Sequence, residues 1–266
     1  MNMPEELRPA VVVTGASTGI GREIAKVAAR EGGPVVLVAR SAEALAETAA
    51  EVRAAGGEPF VLALDLAPAG APAEVGEFLA EQGLHCAVLV NNAGYGLFGA
   101  AATLSREDQL GIIDVNVRAL TDLTLRLLPG MLARRTGGIL NVGSVAGFVP
   151  GPYMALYHAS KAFVGSLSEA LSEEVRGTGV TVTCVAPGPV RTMFFAKAGA
   201  RRAQLFKILP KLTAEAVAES AWRGFRRGRR MVVPGTIASL TAFGAAYLPH
   251  AVSLGTLMRL QRGRGG

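Results

Sequence analysis

Tyr157 and Lys161 stand four residues apart in the run YHASKAFVGSLSEALSEE, and Ser144 lies just upstream at the end of an apolar segment. Positions i and i+4 share one face of a helix, so this spacing lets an ammonium approach a phenol. A phenol titrates near ~10 and is a poor proton donor or acceptor at neutral pH. A neighbouring cation favours the phenolate and brings the group toward the working range. The pair reads as a proton-transfer device. Y-x-x-x-K also occurs on many surface helices, so the elements that position it decide its meaning.

Those elements alternate along the chain. Ala10–Gly15 (AVVVTG) and 34–39 (PVVLVA) are continuous apolar runs, as expected of strands buried on both faces. A helix is predicted over 20–31, closed by Gly32 and Gly33, and another after Ser41, ended by Gly56 and Gly57. PFVLALDL, CAVLVNNAG, ILNVGS and VTVTCVAPG read as further strands, and MVVP as a short seventh. Helices are expected near 72–82, over 157–176 and after Thr213. A long one opens at a capping box of Ser105 and Asp108 and runs toward Leu128. At 266 residues and 50% hydrophobic, this is one α/β domain, a doubly wound parallel sheet with helices on both faces and a ligand crevice at the strands' carboxyl ends.

The first strand runs directly into TGASTGIG, residues 14–21, and then a helix. Gly15, Gly19 and Gly21 leave backbone free to turn sharply and to approach a pyrophosphate, and the helix start offers N–H donors. The second strand ends in Ala39 and Arg40. An acid there would bond a ribose 2′-hydroxyl; a guanidinium suits a 2′-phosphate, so NADP(H) is preferred over NAD(H). The position inside the turn where a second phosphate cation can stand is Thr18, so the preference rests on Arg40, with Arg22 as a helper. Asp65 is placed to accept from the adenine amino group. Asn91 and Asn92 end the fourth strand, Asn91 mainly as a brace between strand ends, and Ala93–Gly94 allow close backbone approach.

Charge divides the chain. Residues 1–187 carry thirteen Lys/Arg against nineteen Asp/Glu; residues 188–266 carry fourteen against two, Glu215 and Glu219. The basic third is read as a solvated face, with an anionic membrane surface, an acidic partner or a phosphate-bearing substrate as alternatives. Nucleic-acid binding is disfavoured, because no binding motif accompanies the charge. Cys86 and Cys184 fall in strand-like runs and are expected as buried thiols in a reducing compartment. The short acidic start leaves no room for a signal peptide, which gives a cytoplasmic expectation. Three scattered histidines supply neither a metal site nor a Ser-His-Asp triad; His158 is read as a packing or surface residue. From Met231 to Met258 the chain has no formal charge, but Pro and Gly interrupt it, and Thr236–Leu248 is too short to span a bilayer. A buried helix over the active site or an interface is expected there, with peripheral membrane contact as the alternative.

TGASTGIG, Asp65, NNAG (91–94), Asn116, Ser144, Tyr157 with Lys161, and Pro187–Gly188 followed by Thr192 occur together, in an order and at intervals that resemble the short-chain dehydrogenase/reductase family. The resemblance covers residues 10–192 well. It implies a Rossmann fold of seven parallel strands in the order 3-2-1-4-5-6-7, and reversible hydride transfer between a nicotinamide and a carbonyl or secondary alcohol. Tyr157 would be the general acid/base, and Lys161 would lower its pKa and bond the nicotinamide ribose. Ser144 would polarise the substrate oxygen. Asn116 would kink its helix and position a water linking Lys161 to solvent. Ser17, Thr18 and Ile20 join the glycines of the turn in the implied cofactor set; Pro187, Gly188, Val190 and Thr192 line its nicotinamide end, with Thr192 bonding the carboxamide. Homodimers or homotetramers through the two long helices are also implied.

The loops expected to wall the pocket, Tyr95–Gly99, Ala146–Leu156 and a lid over 193–211, are largely apolar, which predicts a hydrophobic substrate with one reactive oxygen. The domain is read as single over 1–266, with that lid and a 236–266 apolar and basic tail as extensions. A dinucleotide-sensing protein, or a membrane-surface protein on the same fold, is the alternative reading.

Overall fold

The computed structural model describes residues 7–191 and 211–235. Thr192, all of the lid but Lys211, and the 236–266 tail lie outside the described residues.

Seven parallel strands form one sheet in the order β3-β2-β1-β4-β5-β6-β7. They are β1 Arg8–Thr14, β2 Gly33–Ala39, β3 Gly57–Ala63, β4 Leu84–Asn91, β5 Gly137–Val142, β6 Val180–Val185 and β7 Met231–Val232. β1 pairs with both β2 and β4. The strand order therefore reverses beside β1, and the crevice at the carboxyl ends opens there.

The continuous apolar strands have the burial their composition requires: Val35 to Val38 on β2 are all at most 1% exposed. On one face Val13, Val35 and Leu37 pack against α1 (Gly19–Ala29), α2 (Ala42–Ala54) and α7 (Ala214–Arg226), whose Trp222 and Phe225 complete that core. On the other, Val12, Val36 and Leu89 meet α3 (Ala71–Glu81), α5 (Leu120–Arg134) and α6 (Ala155–Glu174). Burial on both faces forces the helices to alternate sides of the sheet.

The caps read from sequence are made. Ser41, Ser105 and Thr213 accept from the backbone N–H of Ala44, Asp108 and Ala216. The long helix differs from expectation. After α4 (Arg106–Ile113) it widens into a π-helical segment, Asp114–Ala119, and then continues as α5 to Arg134, past Pro129. Proline removes one intrahelical bond, and the residue four back, Leu125, is 60% exposed, so the break falls on the solvent side of the helix.

Candidate active site

The glycine turn, the ends of β2 to β6 and the start of α6 enclose one cleft of about 690 Å³. One end is built for backbone approach. Gly15 has φ +65°, and a Cβ there would stand 2.7 Å from Asn92 Nδ2 and 2.9 Å from Ala93 Cα. Only glycine is unstrained in that conformation with neighbours so close. Asn92 Nδ2 donates to the carbonyls of Thr14 (2.9 Å) and Gly15 (3.1 Å), and Thr14 Oγ1 accepts from the N–H of Asn92 and Ala93, both at 3.0 Å. The Asn92 amide thus shapes the turn. Thr14 was not singled out from sequence, although a hydroxyl directly before Gly15 was the available signal. Thr18 caps α1 in extended conformation with no side-chain bond to the helix, which leaves the first-turn N–H groups without a side-chain acceptor.

Ser17, Gly19, Ile20, Arg40, Ser41 and Asp65 line this same end, and Arg40 is exposed. Among the described residues Arg40 makes no ion pair. Arg22 does not join it. Its Nε donates to Glu51 Oε2 at 2.8 Å and its Nη1 lies 3.4 Å from Glu47. Those carboxylates hold the Arg22 pKa above its usual range and consume its charge locally. The expected helper role is therefore corrected: α2 carries two acids on the face that α1 meets. Asp65 lies beyond the end of β3, with Oδ1 accepting from Ala67 N–H at 3.1 Å. The cavity, the left-handed glycine and the unpaired guanidinium together fit a dinucleotide.

The other end gathers Ser144, Tyr157 and Lys161 with Ala93, Gly94, Pro187, Gly188 and Val190. Ser144 Oγ accepts from Ala146 N–H at 3.1 Å, and its hydroxyl shares the cleft with the Tyr157 phenol, where it favours the phenolate. Burial outweighs that influence and pushes Tyr157 up to about 12. Lys161 does not relieve it here. Its Nζ donates to the Val142 carbonyl at 2.7 Å and stands 6.0 Å from the phenol ring centroid. Burial in turn pulls Lys161 down to about 8, opposed by the nearby Cys184. The expectation that this ammonium lowers the tyrosine's pKa is thus not met by this arrangement, because desolvation acts on both groups and the ammonium is engaged by a strand-end carbonyl.

Asn116 sits buried in the π-helical segment. Its Oδ1 accepts from Tyr95 N–H, and its Nδ2 donates to Tyr95 O and Ser160 Oγ, all at 3.0 Å. Ser160 in turn donates to the Tyr157 carbonyl. Asn116 thereby ties the loop after β4 to α6, through Tyr95 and Ser160, which the motif reading passed over. Asn91 braces the sheet as read, donating to Thr124 Oγ1 and Asn141 Oδ1. His158 is buried and lines the cleft beside Tyr157. Both cysteines are free and buried. Among the described residues no cluster of metal-ligating side chains is present, and no helix is long and apolar enough to cross a membrane.

The fold and cleft define a dinucleotide-binding α/β oxidoreductase. The chain belongs to the short-chain dehydrogenase family, whose model matches residues 9–203. It is 39% identical over 176 residues to a very-long-chain 3-oxoacyl-CoA reductase of Coprinopsis cinerea; the match covers 64% of this chain and spans only 51% of that protein. A short-chain dehydrogenase from Sphingobium yanoikuyae in complex with NADPH superposes with a TM-score of 0.77 at 30% identity, over 97% of this chain and 98% of that one. A family member from Burkholderia phymatum in complex with NAD gives 0.79 at 27% identity, over 95% and 97%. The chain is an oxidoreductase of alcohol or carbonyl groups that uses a nicotinamide dinucleotide.

Proposed function

We propose that the protein is an NADP(H)-dependent oxidoreductase acting on a ketone or secondary alcohol of a hydrophobic molecule. The observation that carries this reading is a single cleft that holds Ser144, Tyr157 and Lys161 at one end and the glycine turn with Arg40 at the other. Bound there, a nicotinamide dinucleotide would supply or accept the hydride.

The chain's own residues handle the oxygen. In reduction, negative charge develops on the carbonyl oxygen, and the Ser144 hydroxyl and Tyr157 phenol are two donors beside it. Tyr157 gives its proton to that oxygen; in oxidation its phenolate takes the proton back. Lys161 holds positive charge behind the phenol and bonds the nicotinamide ribose. Asn116 keeps the loop after β4 in place. Arg40 recognises the 2′-phosphate, Asp65 the adenine, and the glycine turn with the α1 N-terminus the pyrophosphate. Leu97, Val149 and Met154 line the cleft near Tyr157 and supply an apolar wall. The fungal relative's name supports a long acyl or lipid-like ketone. A homodimer or homotetramer through the α4–α5 stretch and α6, a cytoplasmic location, and a tail that covers the active site or an interface, with membrane-surface contact as the alternative, complete the proposal.

NADPH oxidation with a panel of cyclic, aryl and long-chain ketones tests it, with Tyr157→Phe as the comparison. Turnover by the unaltered chain, reduced ~10²–10⁴-fold in the variant, is the expected result. Unchanged turnover in the variant removes Tyr157 from the mechanism. NADPH binding without turnover of any ketone, or of the matching alcohols with NADP+, would favour a dinucleotide sensor.

A further inference from the structure

His158 follows the tyrosine directly, its ring edge-on to the phenol with centroids 6.1 Å apart, and its Nδ1 faces the end of the short 3-10 turn Val145–Phe148, which follows Ser144. Its Nδ1 lies 2.8 Å from the carbonyl oxygen of Val149, so this nitrogen carries the proton and donates. The Ala146 carbonyl also faces the ring, and together the two carbonyls oppose the burial that lowers the histidine's pKa. Gly151 covers the opposite edge: a Cβ there would stand 2.2–2.4 Å from Cδ2, Nε2 and Cε1. Farther along α6, Gly147 lies directly on the helix backbone, and a Cβ on it would stand 2.7 Å from the Lys161 carbonyl carbon. The turn is thus fastened to α6 at two places, one beside Tyr157 and one on Lys161. Ser144 caps the turn, its Oγ accepting from Ala146 N–H and its backbone oxygen from Gly147 N–H.

We propose that His158 is a positioning residue for the reaction: by pinning the 145–149 turn to α6 it sets the Ser144 hydroxyl against the Tyr157 phenol. This rests on the reading of Ser144 and Tyr157 as the proton-handling pair. In this role the ring acts through the turn. Its effect falls on turnover, because Ser144 and Tyr157 face the same cleft as a pair of donors, and a misplacement of about 1 Å at such a site costs on the order of 10²-fold. Dinucleotide affinity, set at the far end of the cleft, is spared.

The test compares three full-length variants. His158→Leu keeps volume but removes the donor; His158→Asn keeps an N–H at the same distance from the backbone; Gly151→Ala pushes a methyl against the ring. Hydrogen exchange of the 145–149 amides reads the pin without any substrate, and NADPH titration together with kcat and KM on the best panel ketone reads its consequence. Expected in His158→Leu are faster exchange confined to that turn, a kcat roughly ten- to a hundredfold lower, and an NADPH Kd within about twofold of the unaltered chain. His158→Asn restores exchange and kcat, and Gly151→Ala reproduces the leucine phenotype. Protected amides and full turnover in His158→Leu overturn the proposal. So does a kcat loss that asparagine does not restore, or one matched by an equal loss of NADPH affinity, because either marks general packing. If His158→Leu does not fold, Gly151→Ala and His158→Asn decide between the same outcomes. Full activity in Tyr157→Phe would instead overturn the underlying reading, whatever His158 does.

Discussion

Lys161 Nζ donates to the carbonyl oxygen of Val142 at 2.7 Å, joining the second turn of α6 to the last residue of β5. Ser144 lies two residues beyond that carbonyl, so the ammonium and the hydroxyl are referred to the same strand end. The bond also keeps a buried cation hydrogen-bonded in a site whose desolvation works against its charge.

The pH dependence of stability should expose that cost. Burial lowers Lys161 from 10.5 to about 8, so between those values the folded chain has released a proton that the unfolded chain still holds. Stability therefore climbs with pH across that window. Tyr157 is raised from 10.0 to about 12; there the unfolded chain loses its proton first, and stability falls as pH rises. Urea midpoints of the ligand-free protein and of Lys161→Met, taken from pH 7 to 10, should converge as pH increases, by on the order of 3 kcal/mol over the whole Lys161 window. Parallel curves would show that the ammonium is not penalised.

Cofactor choice separates two arginines. Arg40→Ala should weaken NADPH binding by tenfold or more while changing NADH binding little, because it removes a charge-assisted phosphate partner. Arg22→Ala should leave the ratio of NADPH to NADH affinity unchanged, since Glu47 and Glu51 already hold that guanidinium. Fluorescence titration of both cofactors against both variants measures this. An equal loss of the two cofactors in Arg40→Ala removes it from phosphate recognition.

Gly15→Ala should cost dinucleotide affinity and stability together. The added methyl meets Asn92 and Ala93 at distances real Cβ atoms do not adopt, and the backbone must leave φ +65°. A destabilisation of roughly 1–3 kcal/mol, with at least tenfold weaker NADPH binding, is expected from denaturation and titration. Retained affinity would mean that the turn relaxes without disturbing the pyrophosphate site.

Asn116→Leu removes three side-chain bonds and strands the N–H and C=O of Tyr95 in a partly buried loop. A loss of about 2–4 kcal/mol follows from leaving several such groups unpaired. Chemical denaturation of the ligand-free chain checks it. A loss under 1 kcal/mol would show that water replaces the amide and that Asn116 does not brace the loop.

Much of this was legible along the chain. Apolar runs gave the strands, hydroxyl residues gave the caps at Ser41, Ser105 and Thr213, and the sheet order implied by the family resemblance is the order observed. Less legible were features that depend on competition for partners. The long helix reads only as far as Leu128, yet α5 continues past Pro129 to Arg134 on a stretch where Leu125, four residues before the proline, is exposed. Arg22 and Arg40 look alike as cations near a phosphate-binding turn. Only the packing of α1 on α2 shows that the first is already paired.

The sequence by itself determined the sheet, the glycine turn and the set of chemical groups delivered to its carboxyl edge, because strand burial, turn conformation and i, i+4 spacing are encoded locally. What only the tertiary structure decided is how those groups are engaged. Lys161 bonds Val142, Tyr157 answers to Ser144, and His158 grips the Val149 carbonyl. Hydrogen bonds and desolvation depend on which neighbours arrive from distant parts of the chain, and spacing along a single helix does not carry that information.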